Sequence, residues 1–185
     1  MEVFDAKLVW TILHLIGVSI GLGGALFGDS LFFLATRNGI LSLPELRLLR
    51  RSGSFVTLGL LILIFSGVGL FFQDPARYME SSKFLSKMVV VAVIAFNGAV
   101  LHSVHFETLR RLVGMKLRES RLFRRRSFGL FISGAVSVSS WLFALVLGSL
   151  RSIPYSMLEV LYVYLVVVCV AIGASLFARG AFLRR

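Results

Sequence analysis

Charge of either sign is scarce in this chain of 185 residues: 16% of its side chains are charged, with nine acidic residues against twenty Lys and Arg. Soluble domains average about 25% charged and about 45–50% apolar residues. Here 57% are apolar and mean hydropathy is +0.89, which excludes an ordinary water-soluble globule. Cysteine is nearly absent. Cys169 alone cannot form an internal disulfide, and three histidines leave no material for an elaborate metal cluster. Proline is rare too, and Pro44, Pro75 and Pro154 all fall at loops or at the ends of apolar runs, where they break no transmembrane hydrogen bond. Pro154 is expected in the first turn of the last helix. No run alternates apolar and polar residues, which excludes a porin-like barrel. There is no internal repeat, no low-complexity linker and no sign of a second domain.

What is abundant is long apolar sequence. Five runs stand out, at about 8–35, 55–72, 84–106, 128–150 and 155–178. Crossing the hydrocarbon takes about 20 residues of helix, and lipid offers no partner for backbone N–H and C=O groups, so each span should be helical. The second run is the shortest and is expected to begin as early as Ser52. The fold class expected is an all-α integral membrane protein, a five-transmembrane-helix bundle forming a single membrane domain over 1–185. Sorting the cations alternately places fifteen on one side and five on the other. The richer side belongs in the cytoplasm, which puts the N-terminus outside and the C-terminus inside a bacterial-type cytoplasmic (inner) membrane. The leader Met1–Lys7 carries Glu2 and Asp5, and the apolar run after it exceeds the 7–15 residues of a signal-peptide core, so it reads as a span rather than a cleaved signal.

The loop 107–127 is the one segment that looks soluble. Eight Lys and Arg lie between Arg110 and Arg126, while Leu109, Val113 and Leu117 recur every four residues, a spacing that places them on one face of a helix. The partner expected for its basic side chains is the lipid bilayer, specifically anionic headgroups. Nucleic acid is not expected, because Phe123 alone interleaves with the arginines and makes no series of aromatics to stack on bases.

In lipid, helices associate by close packing of small residues. His14, Gly17, Gly21, Gly24 and Gly28 share one face of the first span. Gly59, Ser66 and Gly69 mark the second, and Gly129, Ser133, Ser137, Ser140, Ala144 and Gly148 the fourth. Lys87, Val91, Ile94, Gly98, His102 and His105 form a stripe on the third, and Glu159, Tyr162, Cys169 and Gly173 on the fifth. All five stripes are expected to point inward.

Ionisable groups at membrane depth are costly and mark function. His14, Lys87 and Glu159 lie roughly 5–9 Å from the outer ends of their spans at a rise of about 1.5 Å per residue. They form a candidate outer cofactor site, in which Lys87 and Glu159 would neutralise one another and leave His14 free to ligate or relay a proton. Asp29, His102 and His105 fall roughly 27–32 Å down, near the cytoplasmic face. Two imidazoles and a carboxylate make a candidate inner metal site for zinc or ferrous iron. His14 and His102, at opposite depths, cannot both ligate one haem iron. Cys169 reads as a small packing residue.

The segment Leu13-His14-Leu15-Ile16-Gly17 leading to Gly23-Gly24-Ala25-Leu26-Phe27, with Lys87-Met88-Val89-Val90-Val91 opening the third span, resembles a group of small polytopic membrane proteins. The group includes the HemJ-type protoporphyrinogen oxidases and the CopD-type copper-resistance domain. The resemblance covers spans one and three. It implies a b-type haem, with His14 at the position of the family's haem-binding histidine and Lys87 at that of its functional lysine. The sequence departs from the group where Gly28-Asp29-Ser30 replaces a Leu-Pro-Arg element, and the fifth span is extra. The expected function is haem-binding or redox in the outer half. Two alternatives remain: a small permease handling metal or protons, and a non-catalytic subunit docking a larger complex. The last is expected to use a homo-oligomer or a membrane-protein partner through the glycine seam or the basic loop.

Overall fold

The computed structural model describes residues 6–184, so Met1–Asp5 of the leader and Arg185 lie outside the described residues. Seven α-helices follow in order: α1 (Ala6–Asn38), α2 (Leu43–Phe71), α3 (Pro75–Met79), α4 (Ser82–Val100), α5 (Phe106–Arg111), α6 (Arg121–Ser149) and α7 (Met157–Arg184). A π-helical turn, Leu101–His105, joins α4 to α5 without a break. Five helices are therefore long and apolar enough to cross a bilayer, with α4, the π turn and α5 acting as one span, Ser82–Arg111.

The helices outrun the apolar segments read from sequence, mostly at the arginine-rich end. α2 begins twelve residues before 55, because Ser42 and Glu45 close a capping box there: the Ser42 amide donates to Glu45 Oε2 at 2.7 Å, and the Glu45 amide donates to Ser42 Oγ at 3.4 Å. Pro44 sits in that first turn, where its missing N–H costs nothing. Pro154 does not start α7. Ser156 does, with Glu159 as the reciprocal carboxylate of a second capping box.

α1 and α2 pack as an antiparallel hairpin whose backbones touch. A Cβ added at Gly59 would lie 2.3 Å from the Gly21 amide nitrogen, and one at Gly17 would lie 2.8 Å from the Leu63 nitrogen. Gly21 also receives the edge of Trp141, which is fully buried on α6. Val18, Leu63, Val90, Ile94 and Trp141 close the middle of the bundle around that contact.

α7 packs with a different face from the one expected. Tyr162, Cys169 and Gly173 are exposed, while Val160 and Tyr164 are buried. The helix is apolar all round, so periodicity carries no facing signal; a polar clasp to α6 sets it instead. Tyr164 Oη meets Ser140 Oγ at 2.7 Å, Ser175 donates to the Phe131 carbonyl at 2.8 Å, and Arg179 Nε donates to Ser127 Oγ at 2.8 Å.

The basic loop folds, though not as one helix. α5 ends at Arg111, and Gly114 takes φ +77°, left-handed backbone that stops a helix. The loop then zips to the α1–α2 turn: the Gly114 amide donates to Leu41 O at 2.9 Å and the Leu117 amide to Gly39 O at 2.8 Å. Leu41, Leu49, Leu109, Leu112 and Leu117 are buried beneath that zipper as a second core. Of the expected stripe, Leu109 and Leu117 are buried there and Val113 packs at its edge.

Candidate functional site

At the arginine-poor end, α1 presents His14 to α2. Its Nδ1 lies 3.1 Å from Ser66 Oγ. The Ser66 hydroxyl already donates to the Ile62 carbonyl at 2.7 Å, so the imidazole Nδ1–H is the donor in this contact and Nε2 keeps its lone pair. The Lys87 ammonium is within coulombic reach of the ring. Glu159 does not join them: its carboxylate caps its own helix through the amide and hydroxyl of Ser156, both at 2.8 Å, and it is exposed. The expected Lys87–Glu159 pair is absent among the described residues; ion pairs form instead in the basic loop, between Glu107 and Arg110 or Arg111 and between Lys116 and Glu119. The α1–α2 seam just below His14 is closed by glycine contact, and His14 is the one histidine at this end among the described residues.

The inner trio also divides. His105 is buried against α6, where its Nε2 lies 2.9 Å from Ser133 Oγ, and Asn97 Nδ2 donates to the Ser133 carbonyl at 2.9 Å. His105 Nδ1 is buried with no hydrogen-bond partner. His102 turns outward, is exposed, and stacks edge-on against Phe106. No group of three or more His, Cys, Asp or Glu able to hold a metal forms among the described residues.

Asp29 and His102 do line one cavity of about 100 Å³, enclosed by α1, α2, the π turn and α6. Asp29 is held there by a local feature of α6: a Cβ at Gly134 would lie 3.2 Å from both of its carboxylate oxygens, so the glycine makes the room the carboxylate occupies. On its other side Asp29 borders a second cavity of about 630 Å³, between α1, α6 and α7, into which Arg37 also faces. The carboxylate has no hydrogen bond or ion pair among the described residues. Sequence reading missed Gly134 and the Asn97–Ser133–His105 cluster. Asn97 was the available signal, being the one Asn within the five apolar runs, and intramembrane polar residues face the bundle interior.

Five apolar helices closed around a buried core define a polytopic all-α membrane protein. No family model matches the chain, and neither a curated protein nor a solved structure is similar to it. The likeness to HemJ-type and CopD-type proteins rests on its short motifs alone.

Proposed function

We propose that the protein is a small permease that handles protons, with Asp29 as its working carboxylate. The observation that carries this reading is an acid within the bundle with no partner, bordered by a cavity on each side and given its space by Gly134. An intramembrane acid of this kind is expensive unless it binds something or exchanges a proton. The closed middle, where Trp141 meets Gly21, supports a carrier rather than an open pore. Reconstituted in liposomes with a pH-sensitive dye inside, the protein should pass protons down an imposed gradient. Asp29→Asn should lower that flux by on the order of tenfold, and Glu159→Gln should leave it unchanged. Flux indifferent to Asp29→Asn would remove the reading.

A second reading keeps a b-type haem at the other end. It is favoured by His14, whose Nδ1–H is engaged by Ser66, the arrangement that orients a ligating imidazole for bonding through Nε2. Purified after expression with haem supplied, the protein would then carry a Soret band that His14→Ala weakens and His102→Ala does not.

A further inference from the structure

The cavity beside Asp29 has three features that together select a ligand. Its wall is mostly apolar, with Ser52, Thr57, His102 and Ser137 as its polar side chains beside Asp29, and is built from α1, α2, the span α4–α5 and α6. Two aromatic rings, Phe32 and Phe106, contribute to it, and Asp29 is the one acid that lines it. Its mouth opens sideways: Thr57 on α2 and His102 on the π turn both line it and both are exposed, in a part of the chain that reads as membrane-spanning.

A sideways mouth within the bilayer admits what dissolves in the bilayer. A lone carboxylate in an apolar chamber is neutralised best by a monocation that brings no shell of water with it, and aromatic faces attract such cations further. Small hydrated metal ions fit poorly, because they need several oxygen ligands and no such group converges here among the described residues. We infer that this cavity binds a small lipophilic organic monocation, such as a quaternary or tertiary ammonium compound, with Asp29 as its counter-ion. This rests on the permease reading and names its substrate class.

Binding should weaken in acid, as protons compete for the carboxylate. The other titratable or charged groups bordering the two cavities are His102 at the mouth and Arg37 in the neighbouring one, while α2, α6 and α7 contribute none.

The test uses the full chain purified in detergent and tritiated ethyltrimethylammonium, a cation of a size that suits a cavity of about 100 Å³, in equilibrium dialysis, with 2,2-dimethylbutane as the neutral isostere. Saturable binding of the cation is expected, about tenfold or more weaker in Asp29→Asn and retained in Asp29→Glu. Gly98→Leu provides a variant that keeps the acid. Gly98 lines the cavity and a Cβ there meets nothing within 4 Å, so the leucine should fit the fold, fill the chamber and abolish binding. Equal binding by wild type and both Asp29→Asn and Gly98→Leu, or displacement of the cation by 2,2-dimethylbutane at matching concentration, overturns the inference. Asp29-dependent proton flux without saturable cation binding also overturns it and leaves the permease reading standing. Cation binding without Asp29-dependent flux supports the inference and removes that reading.

Discussion

A polar side chain inside a helical bundle is fixed by whichever carbonyl or neighbour it can reach, and the three histidines illustrate how differently that resolves. His14 donates across a helix seam to a serine whose own proton is committed. His102 is exposed beside a cavity mouth. His105 is buried with one ring nitrogen satisfied by Ser133 and the other by nothing. Ser133→Ala should leave His105 without any partner, and a buried group so orphaned costs about 1–3 kcal/mol. Thermal unfolding in detergent should show that loss, with Ser133→Thr restoring part of it. Asp29 is the opposite case, an unpartnered acid beside space. The sequence offered Asp29 only as a member of a metal trio, because depth could be counted from residue number whereas Gly134 on a helix more than a hundred residues away could not.

At the scale of elements, the glycine seam of α1 was legible. Small residues at steps of three and four predict a contact face, and Gly17, Gly21 and Gly24 are all buried. The partner face on α2 centres on Gly59, whose added Cβ would strike backbone rather than a movable side chain. Gly59→Ala should therefore lower the unfolding temperature markedly, whereas Gly23→Ala, which meets nothing within 4 Å, should leave it unchanged or raised, since alanine favours helix over glycine. Equal effects from the two would deny the seam its role in holding α1 to α2. α7 was not legible by the same logic. Its small and polar residues suggested a face through Glu159 and Cys169, but one of these caps the helix and the other is exposed. In a helix that is apolar all round, the bonds of Tyr164, Ser175 and Arg179 to α6 decide the rotation.

For the whole molecule, the basic collar joins all five spans. Helices α1, α2 and α5 and the start of α6 meet at the zippered turns of Gly39–Leu41 and Val113–Leu117, over a core rich in leucine, and Leu176, Phe182 and Leu183 of α7 pack against that core. This collar and the cavity of Asp29 lie at the same end, while His14 stands about 22 Å away along α1, beyond the closed middle. The positive-inside rule predicts a cytoplasmic collar, and that orientation is open to direct test. In a Cys169→Ser background, Met115→Cys at the exposed tip of the collar should react with a membrane-impermeant thiol reagent only in inside-out vesicles. Labelling in right-side-out cells would reverse the topology and exchange the two ends, moving the Asp29 cavity to the outer leaflet.

Composition and run length determined the class, the number of spans and the end where the arginines gather, because the bilayer imposes one apolar length and one way to satisfy the backbone on every span. At the arginine-rich end the helices run past the apolar segments to caps and left-handed glycines that hydropathy does not register. The rotation of α7, the parting of Glu159 from Lys87 and the chamber made for Asp29 by Gly134 belong to the tertiary structure alone. Each depends on which side chain from a distant helix arrives opposite, and along a sequence apolar in every direction nothing encodes that meeting locally.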